Sequence, residues 1–169
     1  MSADPELMSF RSAPCIITAI KNANSLTDIS PDIVICNSYG IAHPSRVGTA
    51  SHIGILLGKP SIGITKDIMC GELKENKDGT SDVLMQEEIY SFSDDEQAIM
   101  KKIGFWFDGK MYSPLVGKYY NKYYISPGHM MCVDKAYEVI KYIMKKKPKM
   151  CDIAVIEAEK FRGNDTCPT

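Results

Sequence analysis

Residues 33–65 constrain the fold more than any other part of the chain. They open with an apolar, mostly β-branched run at 33–36, which is typical of a strand buried on both faces. Residues 49–57 place apolar side chains on one helical face, and Gly58 is a residue favoured just past a helix end. A second apolar run follows at 60–65. Strand, helix and strand in so short a stretch predict a right-handed parallel crossover and an α/β fold.

Two more helices are predicted, one before and one after this crossover. Ser12 and Pro14 have the spacing of an N-cap and a first-turn proline, so a helix should begin at Ser12 and end near Asn24. Over residues 134–147 the apolar residues recur at helical spacing, and Pro148 ends the pattern. Both patterns indicate helices with one apolar face.

The remaining segments carry hairpin and strand signals. Residues 70–88 are polar and predict a surface loop or an irregular hairpin. Asp108 and Gly109 lie between apolar flanks, a strong signal for a tight turn between two antiparallel strands. Residues 122–126 predict another strand, whereas residues 151–161 fit either a helix or a last strand.

Composition fits one globular domain over residues 1–169, with 44% hydrophobic and 24% charged residues. Lys and Arg number 20 against 21 Asp and Glu, so any affinity for nucleic acid must come from a local surface. We find no apolar run long enough for a membrane span and no signal-peptide layout, so we expect no membrane partner and an intracellular protein, in the cytoplasm or, in a eukaryote, the nucleus. The six cysteines are scattered without zinc spacing and are expected to be reduced.

Several separate motifs resemble the endonuclease V family in their order and spacing. They are F-R-S-A-P at 10–14, G-I-A-H-P at 40–44, A-S-H-I-G at 50–54, G-I-T-K at 63–66 and S-P-G-H at 126–129. The resemblance runs from about Pro5 to about Lys147. It implies a ribonuclease H-like mixed sheet flanked by helices, here lacking the family's N-terminal strands. It also implies Mg²⁺-dependent hydrolysis of the phosphodiester bond 3′ to inosine in DNA or RNA, with a part in DNA repair.

The chain departs from the family where the metal would be held. The family's V-D-G-H-G motif has an aspartate at the position of Asn37, and its F-R-E-G-P motif has a glutamate at the position of Ser12. A third aspartate lies in the family upstream of the first residue of this chain. Residues 2–6 stand where the family has P-Y-I-P-G and carry neither its aromatic wedge nor its glycine. Because Mg²⁺ needs anionic oxygen ligands, we expect no metal ligands here, doubtful Mg²⁺ binding and impaired catalysis.

Other matched positions are retained. The resemblance implies a catalytic role for His129 in the S-P-G-H motif. It implies nucleic-acid contacts for Lys66, which matches a phosphate-contacting lysine, and for the loop lining the lesion pocket, which holds His43, Arg46 and Gly48.

Plainer explanations exist for some of these residues. Ser38, with Asn37, belongs either to a remodelled binding site or simply to a strand end that turns into a loop. Ser12 fits an N-cap without any further role. His52 fits packing or a hydrogen bond better than a ligand role.

Three functions are consistent with the sequence. The first is an endonuclease V-like pseudoenzyme that binds inosine-containing DNA or RNA without cutting it. The second is an active inosine-directed nuclease whose missing acids come from a longer form or a partner chain. The third is an interaction module whose exposed sheet edge pairs with itself or with a partner.

Overall fold

The computed structural model describes residues 8–77, 81–87, 99–113 and 118–146. Within these ranges the elements are, in chain order, α1 (Met8–Thr27), β1 (Val34–Cys36), α2 (Thr49–Leu57), β2 (Ser61–Thr65), β3 (Glu72–Glu75), β4 (Ser81–Glu87), β5 (Ile99–Ser113), β6 (Lys118–Pro127) and α3 (Val133–Lys146). None of the helices in these ranges combines the length and the apolar character that a membrane span requires.

The described strands form one six-stranded sheet in the order β1-β2-β6-β5-β4-β3. β1 and β2 run parallel, with Val34 opposite Ser61, which confirms the parallel pairing predicted for the crossover. All other neighbouring strands are antiparallel, so the sheet is mixed. β1 lies at one edge of the described sheet, and the carboxyl ends of β1 and β2 open on the same side.

Helices cover both faces of the sheet. Alternate residues of a strand point to opposite faces, and Val34 and Cys36 of β1 pack with Ala13 of α1 and Ile53 of α2. On the other face, α3 completes a cluster of buried aliphatic side chains: Ile62, Ile64, Ile125, Ala136 and Ile140. The sheet is therefore packed on both faces, by α1 and α2 on one and by α3 on the other.

The first helix differs from the prediction. α1 begins at Met8, and the Ser12 hydroxyl donates to the carbonyl oxygen of Met8 at 2.9 Å instead of capping a helix N-terminus. Pro14 consequently lies inside the helix. The fully buried Ala13 packs against β1 and α2. These tertiary contacts stabilise the helix on both sides of Pro14, although proline is usually found in the first turn of a helix. The predicted N-cap role of Ser12 is wrong.

Asp108 and Gly109 do not form the predicted hairpin turn. β5 continues through them and pairs with β6 on both sides, Asp108 with Lys122 and Met111 with Tyr120. This register leaves two residues of β5 opposite one residue of β6, which is the count of a β-bulge. β6 pairs with β5 on both sides of Gly109 and Lys110, so these two residues form a bulge and the tight-turn prediction is wrong.

The other helices and strands predicted on described residues are observed. Residues 70–88 contain the β3–β4 hairpin, and α2 ends at Gly58, which has a left-handed φ of 62°. α3 and β6 lie where the sequence predicts them. The cysteines in these ranges are free thiols: Cys15, Cys36, Cys70 and Cys132. The helix or strand considered for residues 151–161 falls outside the described residues.

Replacing Pro14 by alanine should stabilise the protein. Alanine restores an N–H group that can donate to the carbonyl of Phe10, and it removes the ring from the helix interior. We expect the free energy of unfolding to rise by about 1–3 kcal/mol. Urea unfolding followed by circular dichroism measures the change.

Thr18→Ala is the matched control, because Thr18 is also exposed on α1 and carries no proline ring. It should change the unfolding free energy by only about 0.5 kcal/mol. A Pro14→Ala protein no more stable than the wild type would contradict the continuous α1.

Candidate nucleic-acid interface

The chain turns immediately after β1. The Ser38 amide donates to the carbonyl of Cys36 at 2.8 Å, which ends the strand, and Asn37 is exposed at the turn. The Ser38 hydroxyl oxygen is buried and has no hydrogen-bond partner among the described residues. The strand end therefore presents a neutral amide to solvent beside a buried hydroxyl.

Beyond this turn, the chain lies directly on β2. A Cβ atom added to Gly63 would be 2.4 Å from the carbonyl oxygen of Ser38 and 2.5 Å from the amide nitrogen of Gly40. Both are main-chain atoms, so no side-chain rotation relieves the contact. The Gly40 amide also donates to Ser126 Oγ of β6 at 2.8 Å. Only glycine at position 63 leaves room for the chain to cross here.

Residues 37–48, the β1–α2 loop, are also fastened to the start of α2. The Gly48 amide donates to the Gly40 carbonyl at 3.0 Å, and the Ala50 amide donates to the Tyr39 carbonyl at 2.9 Å. A Cβ atom on Gly48 would be 2.4 Å from the Tyr39 carbonyl oxygen. Main-chain contacts therefore fix the loop against both the sheet and the helix.

His43 stabilises this loop from inside. It is 3% exposed, and its Nδ1 accepts from the Ser45 amide at 3.2 Å and lies 2.8 Å from the Ser45 hydroxyl. An accepting Nδ1 places the ring proton of the neutral imidazole on Nε2. Arg46 is half-buried, with a left-handed φ of 60° and an amide that donates to the His43 carbonyl at 2.9 Å. The tight turn thus joins the main chain of Arg46 to that of the buried histidine.

Lys66 and Asp67 follow β2 at the side of the sheet where Asn37 follows β1. Nearby, Tyr39 and Tyr124 line a cavity of about 10 Å³, which is the space of roughly one water molecule. Burial raises the pKa of both phenols, and the carboxylate of Asp67 adds to both shifts. Both side chains therefore remain neutral hydrogen-bonding groups at physiological pH.

The elements that carry Ser12 and Asn37 are in contact. Ala13, next to Ser12, packs against Val34 of β1, and Cys36 borders the same cluster immediately before Asn37. The packing of α1 on β1 therefore brings Ser12 and Asn37 to the same region of the fold.

His129 follows β6 and lies against α2. A Cβ atom added to Gly54 of α2 would be 2.6 Å from the Cβ of His129, and His129 is half-buried. His52, on the same helix, packs edge-on against Phe10 with 5.0 Å between the ring centroids. This contact supports the packing role expected for His52.

The side chains at the matched acidic positions do not fit magnesium. Asn37 offers a neutral amide, and the Ser12 hydroxyl is bonded to the Met8 carbonyl, whereas protein-bound Mg²⁺ usually has one or two carboxylate ligands. Among the described residues, no three His, Cys, Asp or Glu side chains are grouped so that they could hold a metal ion. The donor set at this position is uncharged.

The sequence did not reveal the roles of Ser61 and Ser126. Both are buried, on β2 and β6, and their hydroxyls bond to the main chain of other elements. The available signal was a serine directly beside a buried isoleucine of a strand, Ser61 before Ile62 and Ser126 after Ile125, since a buried hydroxyl needs a hydrogen-bond partner.

The family model, the sequence relatives and the solved structures that this chain matches all belong to one family. The endonuclease V family model matches residues 4–154. The endonuclease V of Trichormus variabilis is 30% identical over 148 residues, which cover 86% of this chain and 55% of the relative. The chain thus spans about half the length of this relative.

Solved structures show the same fold. Endonuclease V from Bacillus subtilis superposes with a TM-score of 0.58 at 21% identity, over 82% of this chain and 51% of the other. Ciona intestinalis endonuclease V, in complex with a 24mer DNA containing an inosine followed by a ribo-adenosine, gives 0.58 at 17% identity, over 83% and 58%. The expected α/β architecture of the ribonuclease H-like class is confirmed.

Cys36 should make the protein less stable at alkaline pH. Burial raises the pKa of its thiol from 9.0 to about 11, so the folded state favours the neutral form. This stabilisation is complete below pH 9 and is lost as the pH rises through 11. Between pH 7 and pH 10.5, ionisation of Cys36 should lower the free energy of unfolding by about 2 kcal/mol. Urea unfolding at both pH values measures the loss.

In Cys36→Ala, the same pH change should lower the free energy of unfolding by about 2 kcal/mol less than in the wild type. Cys15→Ala is the control, because it removes an exposed thiol and should behave like the wild type. Identical pH dependence in Cys36→Ala and the wild type would rule out this role for the buried thiol.

Proposed function

The chain belongs to the endonuclease V family, and we propose that it binds inosine-containing nucleic acid without hydrolysing it. The observation that carries the proposal is the combination of a fixed β1–α2 loop with uncharged groups where the family has acids. Catalytic impairment and strand binding are both part of this proposal.

A fixed loop favours binding. The β1–α2 loop is held by the contact of its main chain with Gly63 and by the bond from Gly40 to Ser126 Oγ at 2.8 Å. A surface that is ordered before its ligand arrives loses less conformational entropy on binding. Gly48 and His43 act in this proposal by giving the loop its shape, because both are buried.

The uncharged donor set acts against hydrolysis. Without anionic ligands at positions 12 and 37, the matched residues cannot hold Mg²⁺ as a carboxylate pair would. His129 by itself does not convert water into a strong nucleophile at neutral pH. We therefore derive no hydrolytic step for these residues.

The same substitutions favour metal-independent contact with a phosphate backbone. Two carboxylates without a metal ion would repel phosphate groups, whereas an exposed amide at Asn37 can donate a hydrogen bond to one. Ser38 adds a buried hydroxyl beside it. The binding surface would thus attract a strand in the absence of divalent ions.

Lys66 and Arg46 are the positively charged residues that we assign to this surface. Lys66 follows β2, and Arg46 lies in the β1–α2 loop, where its charge lowers the pKa of Cys70 against a larger opposing effect of burial. Since the whole chain has a net charge of −1, attraction of phosphate depends on such local groups. We assign phosphate contacts to Lys66 and Arg46 and a strand contact to His129.

Inosine is the proposed target because a related endonuclease V from Ciona intestinalis was solved with an inosine-containing DNA. The inosine in that DNA is followed by a ribo-adenosine, so both DNA and RNA strands are candidates. Single strands are the favoured form, because a base must leave its stack to be read by such a surface.

In a second proposal, the protein is an active inosine-directed nuclease. The chain spans about half the length of its relatives, so acidic ligands and Mg²⁺ binding would depend on a longer form or on a partner chain. β1, at the edge of the described sheet, is where an added strand would pair. Cleavage that occurs only with the longer form or the partner chain would favour the second proposal over the first.

The test uses labelled single-stranded DNA and RNA with one inosine, and matched strands with adenosine at that position. We expect tighter binding of the inosine strands by fluorescence anisotropy, in EDTA as well as in Mg²⁺ or Mn²⁺. Denaturing gels of the same mixtures should show no product. Divalent-ion-dependent cleavage 3′ to inosine that disappears in His129→Ala would refute the proposal, and so would the absence of any strand binding.

Lys66→Ala should weaken binding of inosine and control strands equally, because a phosphate contact carries no base information. It should also reduce the slope of log affinity against log salt concentration by about one. Lys74→Ala is the matched control, since Lys74 is exposed on β3, at the far edge of the described sheet. An unchanged salt slope in Lys66→Ala would remove Lys66 from the interface.

A further inference from the structure

The Ser61 hydroxyl connects three separate parts of the fold. Ser61 is 0% exposed at the start of β2. Its Oγ donates to the carbonyl of Ala50 in α2 at 2.7 Å and accepts from the amide of His129 at 2.8 Å. A hydroxyl has one proton to donate, so this proton ties Ser61 to α2 while a lone pair holds His129.

The main chain of Ser61 holds the same segment. The Ser61 amide donates to the His129 carbonyl at 3.0 Å, and the Gly128 amide donates to the Ser61 carbonyl at 2.8 Å. His129 is therefore bound to Ser61 through both its amide and its carbonyl. Of these bonds, only the one from the His129 amide to the Ser61 hydroxyl can be removed by a side-chain substitution.

Two glycines make room for this hydroxyl. A Cβ atom on Gly54 or on Gly128 would be 2.2 Å from Ser61 Oγ. Either contact is too short for real atoms, so α2 and the segment after β6 approach the hydroxyl as closely as they can. The space around Ser61 Oγ is filled on both sides, which leaves His129 little freedom to shift.

The chain after His129 adds a further restriction. Met130 has a left-handed φ of 50° and is 67% exposed, although it is a large apolar residue. Non-glycine residues adopt this conformation only where surrounding contacts fix the chain. The direction in which the chain enters and leaves His129 is thus set on one side by Ser61 and on the other by this turn.

We infer that Ser61 is a positioning residue, whose hydroxyl fixes His129 for contact with a bound strand. The inference rests on the proposed function for the role of His129, and on the geometry above for the restraint itself. Ser61 touches no ligand in this account. Its effect on binding must therefore pass through His129.

Amide hydrogen exchange tests the restraint without nucleic acid. In Ser61→Ala the His129 amide loses its acceptor, so its exchange should accelerate at least about tenfold. The Gly128 amide is an internal control, because its acceptor is the main-chain carbonyl of residue 61 and remains. Equal acceleration at both amides would mean general loosening, and no acceleration at His129 would overturn the restraint.

A double-mutant cycle with inosine-containing single-stranded RNA tests the role in binding. Ser61→Ala should weaken affinity about as much as His129→Ala, on the order of tenfold. In the His129→Ala background, Ser61→Ala should have no further effect, because a positioning residue has nothing left to position. An undiminished effect in that background would overturn the inference.

Ser126→Ala is the matched control. Ser126 is also a buried strand serine, but its hydroxyl accepts from the Gly40 amide and not from His129. Its effect on affinity should add to that of His129→Ala, and it should accelerate exchange at Gly40 and not at His129. If Ser61→Ala does not fold, the wild type still tests the restraint, because the His129 amide should exchange as slowly as the Gly128 amide, and fast exchange at His129 would overturn it.

The outcomes distinguish the two proposals. If the wild type binds no strand, the proposed function fails, and the exchange at His129 and Gly128 still decides whether Ser61 restrains His129. If the wild type binds and the cycle shows no coupling, the positioning role fails and the proposed function stands.

Discussion

The close contact between the β1–α2 loop and β2 determines the rest of the site. At Gly63 the main chain of the loop occupies the space of a missing side chain, 2.4 Å from where a Cβ atom would be. In the same loop, the Gly40 amide donates to Ser126 Oγ of β6. The Tyr39 carbonyl accepts from the amide of Ala50 in the first turn of α2. Because the loop contributes only main-chain atoms to these contacts, they tolerate changes of side-chain chemistry in the loop. The frame therefore does not depend on which side chain occupies position 37.

In the proposed function, this separation of frame and chemistry lets the chain keep the family's fold while positions 12 and 37 no longer suit a metal ion. The positions of Asn37 and Ser12 are set by β1 and α1, whose packing involves Val34 and Ala13. Neither packing contact depends on a carboxylate. An acidic pair at these positions would need a counter-ion to compensate its negative charge, whereas an uncharged pair needs none. A surface of this kind can bind phosphate without a divalent ion, and this is the activity we assign to it.

Much of the fold follows from sequence periodicity, because long periodic segments report which face is buried. The β1–α2–β2 crossover and α3 were predicted in this way, whereas the polar composition of residues 70–88 left the β3–β4 hairpin as one of two alternatives. The predictions for Ser12 and for Asp108-Gly109 were wrong because both relied on local signals, which packing of Ala13 and the pairing of β5 with β6 override. The sequence located His129 by its motif. It did not reveal Ser61, whose bond to His129 joins residues 68 positions apart, or the burial of His43.

The central claim is that positions 12 and 37 offer no anionic ligands for a divalent ion. Mn²⁺ titration of the isotope-labelled protein tests it most directly, because the ion broadens amide resonances near the place where it binds. The variant Asn37→Asp/Ser12→Glu is the positive control, since two carboxylates at these positions should attract the ion. We predict that resonances of Ser12, Ser38 and His129 stay sharp in the wild type at Mn²⁺ concentrations that broaden them in the variant. Selective broadening of these resonances in the wild type would contradict the account.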